Sequence, residues 1–340
     1  MNWFDISQIG RVQIELTNYC NAACPQCDRY EQIIEWKDPD LNNSHFTIDH
    51  IKDIFGPYKW NSLERVHYCG NVDEPTINPD MIEITDYLSS SILNKESSIS
   101  VATNGGTRDT EFWTELGKLS KIYNVQTVFG LDGLKDTNHI YRRNVRWDTV
   151  EKNWRAYIKA GGNATWQFIV FDHNKHQLDD AKKLADKEGF TGFQIIQSGR
   201  SDVLNPTKET DVKKEKVTKT PEWYKDKGYT IDDKPITDVK LQNVRCPAKL
   251  NSQINKFHKE KGNIYISAKG YVTPCCWMGN PRELNKLWKT SELDKKYHNV
   301  HHNNLLSIIN GPWFEHIDKQ MQEYSLCVHK CKNLVGDLHL

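Results

Sequence analysis

Short apolar stretches rich in β-branched and aromatic residues alternate, from Arg11 to Gly199, with longer stretches of helical periodicity. The strand-like stretches are residues 12–16, 63–68, 99–103, 125–131, 165–171 and 193–197. Helical periodicity falls between them at 48–55, 79–89, 110–123, 149–160 and 177–188, with Pro79 at a permitted first-turn position and Gly189 as a stop. Six strand-helix units joined by right-handed crossovers curl toward a barrel, so the expected fold class is α/β: a partial (β/α)6 TIM-like barrel with a small appended domain. Chemistry in such barrels gathers at the carboxyl ends of the strands.

The loops at those ends are the unusual parts of the chain. The first strand runs into Cys20, Cys24 and Cys27, and the second ends in Cys69-Gly70-Asn71-Val72-Asp73-Glu74-Pro75. The next four end in Thr103-Asn104-Gly105-Gly106, Gly130-Leu131-Asp132-Gly133, Asp172-His173-Asn174 and Ser198-Gly199-Arg200. Glycine lets backbone approach a ligand closely. One such loop would signify only a turn; six in register with a cysteine loop mark a site. Thr103 and Asn104 offer a hydroxyl and an amide suited to ribose or carboxylate. His173 and His176 could accept protons at the barrel mouth or simply start the next helix, and Cys69 reads as a small buried apolar residue.

Basic and acidic residues balance at 45 each, which removes any overall field for nucleic acid or an anionic membrane. No run approaches the roughly 18 apolar residues of a membrane span, and the first residues lack a signal peptide's basic and apolar regions. A cytoplasmic location is therefore expected, with no nucleic-acid or membrane partner. In that reducing compartment nine cysteines suit metal better than disulfides. The C-x3-C-x2-C spacing of Cys20, Cys24 and Cys27 supplies three thiolates on one short loop. A four-iron cubane needs four ligands to be closed, so three thiolates leave one iron open to a small molecule. Zinc sites more often pair two C-x2-C units.

With Tyr19 before the first cysteine, this loop resembles the signature of the radical S-adenosylmethionine (SAM) enzymes. The resemblance implies a 4Fe-4S cluster whose open iron is chelated by SAM, reductive cleavage to a 5′-deoxyadenosyl radical, and abstraction of hydrogen from substrate. It assigns Glu74 to the SAM amino group, although the family's glycine pair before Glu-Pro is relaxed here and Asp73 stands where glycine is common. The stretch from Gly130 through Asp132 to Arg142 is similar to the fourth-strand segment of the peptide-modifying branch, which includes the anaerobic sulfatase-maturating enzymes. There a serine and an arginine bind the SAM carboxylate; Arg142 matches, and the serine position is Gly130. Cofactor contacts are thus expected from Glu74, Thr103, Asn104, Gly130, Asp132 and Arg142, and no catalytic side chain is singled out.

Residues 208–240 hold nine lysines, eight acids and two prolines, the composition of a linker or solvated insert. Beyond it, Cys246 precedes a hairpin at 263–273 that delivers Cys275 and Cys276, and Cys327 and Cys331 close the chain after a helical stretch at 313–323. This arrangement resembles the SPASM or reduced twitch extension, which carries auxiliary clusters. Five cysteines instead of seven imply a single auxiliary 4Fe-4S cluster on Cys246, Cys275, Cys327 and Cys331, with Cys276 spare. A zinc site that could include His329 is the alternative. The expected domains are a barrel over 1–205, the charged insert over 206–242 and the auxiliary domain over 243–340.

The resemblance implies a peptide or protein side chain as substrate and an electron donor such as flavodoxin or ferredoxin. Dehydrogenation or rearrangement of an alcohol, sugar or amino acid is the enzymatic alternative. A non-catalytic iron-sulfur or zinc scaffold would have no use for Glu74 and Arg142. With only 19 residues before Cys20, an N-terminal peptide-recognition domain has no room, so a leader peptide would need a separate partner.

Overall fold

A computed structural model describes residues 5–25, 27, 29–31, 36–37, 44–197 and 262–320. Six parallel strands follow one another across one sheet: β1 (Ile9–Ile14), β2 (Arg65–Tyr68), β3 (Ser98–Thr103), β4 (Val125–Gly130), β5 (Asn163–Val170) and β6 (Gly192–Gln197). The helices expected between them are present as α1 (Ile48–Phe55), α2 (Met81–Tyr87), α3 (Thr110–Ile122), α5 (Trp147–Lys159) and α6 (Leu178–Glu188). A further short helix, α4 (Asn138–Tyr141), lies in the loop after β4. Their ends follow local chemistry: the Thr47 hydroxyl accepts from His50 N–H in a capping box on α1, Asp109 caps α3, and α6 stops at Gly189 in the left-handed conformation.

The C-terminal hairpin extends this sheet. Its first strand, β7 (Gly262–Ile266), pairs parallel to β1, and β8 (Val272–Thr273) pairs antiparallel to β7, giving the order β8-β7-β1-β2-β3-β4-β5-β6. Residues 262–320 are therefore joined to the barrel by main-chain hydrogen bonds. The expected helix at 313–323 appears as Pro312–Gln320, its remainder lying outside the described residues. The insert at 208–240 and the loop of Ser198, Gly199 and Arg200 lie outside them as well.

The two faces of the sheet differ in chemistry. Val12, Ile14, Val66, Ile99, Val101, Trp166 and Phe168 are fully buried on the face that carries the helices. There Trp154 of α5 lies 5.8 Å from Trp166, and Trp113 of α3 lies 5.3 Å from Phe129. The opposite face, by strand alternation, carries Arg11, Gln13, His67, Ser100, Gln126 and Gln167, of which Gln13, His67, Ser100 and Gln126 align across neighbouring strands. A parallel sheet packed on both sides reads as continuous apolar runs; here the polar face lines the hollow of an incomplete barrel. Next to β1 that hollow is covered by the helix Cys276–Gly279, whose Gly279 lies so close over the Tyr265 ring that a Cβ would stand 2.0 Å from it.

Replacing Trp154 by alanine removes the centre of the helix-side aromatic layer. The expected cost is about 3–5 kcal/mol in urea unfolding; a loss below about 1 kcal/mol would contradict this packing.

Candidate active site

The cysteine loop leaves β1 at Glu15 and is fastened to neighbouring strand ends. Arg29, 3% exposed, donates from Nη1 to the carbonyl oxygens of Asn18 (2.5 Å) and Val72 (2.8 Å), tying the loop after β1 to the loop after β2. Glu74 N–H donates to the Tyr19 carbonyl at 2.7 Å, and Ala23 N–H to that of Arg143 at 3.0 Å. Tyr19 itself stacks on His45 at 4.7 Å.

These ties bring each cysteine sulfur against a different strand-end loop. Asn104 Nδ2 stands 4.0 Å from Cys20 Sγ while donating to Asn21 Oδ1 at 2.8 Å. Arg142 Nη1 stands 4.0 Å from Cys24 Sγ. Cys27 Sγ lies 4.0 Å from the Asn71 carbonyl oxygen and accepts from Arg29 N–H at 3.4 Å. Burial, then the nearby Glu74, raises the Cys20 thiol above its usual range; burial also raises Cys24, against the pull of Arg142. Loading with metal must therefore release protons from these thiols. Three thiols on one short loop, each against a separate strand-end loop, are a donor set that fits a cubane, with one thiolate for each of three irons.

Glu74 is 1% exposed, and its carboxylate is saturated. Oε1 accepts from Thr76 N–H (3.3 Å), Thr76 Oγ1 (2.7 Å) and Thr103 Oγ1 (2.6 Å), and Oε2 accepts from Asn104 N–H (2.7 Å). Burial raises its pKa, and these donors restrain the rise. The carboxylate locks the loops after β2 and β3 together and so sets Asn104 against Cys20. Gly105, at φ +68°, completes that turn; a Cβ there would stand 3.0 Å from the Phe129 ring.

Asp132 is wholly buried. Oδ2 accepts from Arg142 Nε at 2.7 Å and Oδ1 from Ile169 N–H at 2.7 Å. Burial opposes the Arg142 charge, but Asp132 and Cys24 outweigh it and hold the guanidinium firmly protonated. The guanidinium lies across Gly130, where an added Cβ would stand 2.6 Å from Nη2. Thr103, Asn104, Gly130, Asp132 and Arg142 thus meet around the cysteine loop. His173 stacks on Phe171 at 5.3 Å, and His176 sits in the single 3-10 turn Lys175–Gln177. Cys275 precedes the helix Cys276–Gly279, while Cys246, Cys327, Cys331 and His329 lie outside the described residues.

Comparison with protein families matches residues 14–187 to the radical SAM superfamily. The chain belongs to the radical SAM superfamily. Residues 258–332 of this radical SAM protein match SPASM, an iron-sulfur cluster-binding domain. The two domains imply SAM and iron-sulfur clusters as cofactors. Among solved structures it resembles SuiB of Streptococcus suis bound to S-adenosylmethionine, with a TM-score of 0.60 and 15% identity over 97% of this chain and 72% of that one. It also resembles anSMEcpe with bound AdoMet, TM-score 0.55 and 14% identity over 95% and 85% of the two chains. The native form of that protein with AdoMet and the Cp18Cys peptide gives a TM-score of 0.53 and 15% identity over 95% and 86%. At these identities the likeness is one of fold. A search of curated proteins finds no match. No helix among the described residues is long and apolar enough to cross a membrane.

Residue types alone leave out Arg29, Asn71 and the acid pair beneath the loop. Glu15, 2% exposed, accepts from Val72 N–H at 3.1 Å. Asp73, 7% exposed, is raised well above the carboxylate range by burial, then by Glu15 and Glu74. Burial raises Glu15 too, against the partial relief of Tyr265, Val72 and Arg29. Each acid thus disfavours ionisation of the other, and the Arg29 charge relieves both in part. The alternation Arg11-Val12-Gln13-Ile14-Glu15-Leu16 was the available signal, since it puts Glu15 on the polar face.

Two outcomes follow from this geometry. Glu74→Leu strands the Thr76, Thr103 and Asn104 donors and should cost about 3 kcal/mol or more in urea unfolding; a loss under about 1 kcal/mol would contradict the brace. For Glu15, a folded pKa above the unfolded value means that its stabilisation is full below about pH 4 and is lost as pH rises toward neutrality. Glu15→Gln, which has nothing to ionise, should therefore gain stability relative to the parent between pH 4 and 7.5. A difference that stays constant with pH would exclude the raised carboxyl.

Proposed function

We propose that this radical SAM protein is an enzyme acting on a side chain of a peptide or protein. Support comes from the three cysteine sulfurs, each faced by a separate strand-end loop, and from the fold shared with anSMEcpe, which was solved with a bound peptide. In this reading Cys20, Cys24 and Cys27 hold the cluster and leave one iron for SAM. When bound there, the cluster and SAM would supply radical chemistry for breaking a substrate C–H bond.

The chain's own residues arrange that chemistry. Glu74 shapes the loop that receives the SAM amino group, its oxygens being committed to Thr76, Thr103 and Asn104. Arg142 meets the SAM carboxylate with the guanidinium edge left after Asp132 takes Nε. Gly130 contributes room and backbone where the related enzymes carry serine. Thr103 and Asn104 would face the ribose and carboxylate. Cys275, with Cys246, Cys327 and Cys331, holds the auxiliary cluster. The barrel spans residues 1–205, the insert 206–242 and the auxiliary domain 243–340. The polar hollow of the barrel is the space offered to the substrate. A flavodoxin- or ferredoxin-like protein supplies the electron, and cytoplasm is the compartment.

Anaerobic reconstitution tests the reading. About eight irons per chain are expected, together with 5′-deoxyadenosine formation from SAM and dithionite that is lost when Cys20, Cys24 and Cys27 are all alanine. About four irons with bound zinc, or no 5′-deoxyadenosine, would reject it. Mass change in peptides encoded beside the gene, against none in alcohols, sugars or free amino acids, would settle the substrate class.

A further inference from the structure

Arg142 stands between two duties. The resemblance gives its guanidinium the SAM carboxylate, and the structure also turns one terminal nitrogen to the Cys24 sulfur, 4.0 Å away. Three features keep it there. Asp132, itself fixed by Ile169 N–H and wholly buried, holds Nε at 2.7 Å. The Tyr141 ring lies 5.5 Å from the guanidinium carbon. Gly130 presents no side chain, and the space that a Cβ would take is filled by Nη2 and Cζ, 2.6 and 3.1 Å from the Cβ position. A residue of any size at 130, the serine of related enzymes included, would push the guanidinium off the strand.

At the other two sulfurs the described contacts are the Asn104 amide at Cys20, and the Asn71 carbonyl with Arg29 N–H at Cys27. Among the described residues Arg142 brings a guanidinium nitrogen to a cysteine sulfur, and Cys24 is the most buried of the three cysteines. Charge and hydrogen bonding at cluster sulfurs set reduction potential, because a nearby cation favours the state with one more electron. The Arg142 side chain is 18% exposed, so solvent screens the charge only in part.

We propose that Arg142, positioned by Asp132 and by the missing side chain at Gly130, raises the reduction potential of the cluster on Cys20, Cys24 and Cys27, in addition to any contact with SAM. This rests on the reading that those three cysteines hold a cluster. Arg142 acts here as a positioning residue for charge, and Gly130 is the substitution that lets it reach sulfur.

The test is a potentiometric titration of the reconstituted, SAM-free protein, following the reduced front cluster by electron paramagnetic resonance. Cys275→Ala is present throughout to remove the auxiliary signal. Arg142→Gln should shift the midpoint to lower potential, and Arg142→Lys should recover part of the shift. Gly130→Ala and Gly130→Ser, which keep the arginine in the sequence but displace its guanidinium, should lower it as well. Wild-type potentials in cluster-loaded Arg142→Gln and Gly130→Ser would overturn the proposal, even if both bind SAM weakly. So would loss of the cluster from every variant with circular dichroism unchanged, since Arg142 would then hold the loop and not tune its metal. Absence of a front cluster in the parent protein would instead remove the reading beneath, and iron content distinguishes the two failures.

Discussion

A loop that carries three thiols has too little apolar surface to hold itself, and its position is set by polar ties to its neighbours. Arg29 is the central one. Its buried Nη1 joins the Asn18 and Val72 carbonyls, and Glu74 N–H adds a third tie at Tyr19. Because β1, β2 and β3 run parallel and in register, these loops all leave the same edge of the sheet, and short hydrogen bonds suffice to assemble them. Strand geometry thus places the sulfurs, and the buried polar network fixes their orientation.

The same arrangement explains the division of the sheet into an apolar and a polar face. Helices α3 and α5 seal one side with a tryptophan-rich layer, which leaves the other free to carry amides, hydroxyls and charges in a hollow. An appended hairpin closes part of that hollow through main-chain pairing of β7 with β1, and it brings Cys275 and Cys276 to the front cysteines' side. Asn71 spans the gap: its amide donates to the Cys276 carbonyl at 3.2 Å, and its own carbonyl faces Cys27. The auxiliary segment and the cysteine loop are therefore mechanically connected by one residue.

Much of this could be read from residues in order. Period-2 and period-3.6 patterns located the six strands and their helices, because each strand buries one face under a helix and each helix has one stripe to bury. Cys20, Cys24 and Cys27 announced themselves by spacing. Boundaries slipped where capping was weak: α5 begins at Trp147, ahead of the expected Thr149, and the first strand starts at Ile9 because β7 pairs with it there. Other features depend on contacts far apart in sequence. Arg29 and Asn71 carry no motif, and Glu74, in sequence a carboxylate for the SAM amino group, in three dimensions also accepts from Thr76, Thr103 and Asn104. Gly130 read as a lost serine, whereas in three dimensions its vacancy is filled by the guanidinium of Arg142. Pairing of the hairpin with β1 was likewise beyond a reading of local pattern.

The central claim is that the front cysteines leave one iron without a protein ligand. Electron paramagnetic resonance of the dithionite-reduced, reconstituted Cys275→Ala protein, recorded before and after addition of SAM, addresses it directly. The account predicts that SAM changes the cluster's signal, as a ligand bound to iron must. A signal indifferent to saturating SAM, or zinc in place of iron on Cys20, Cys24 and Cys27, would contradict it.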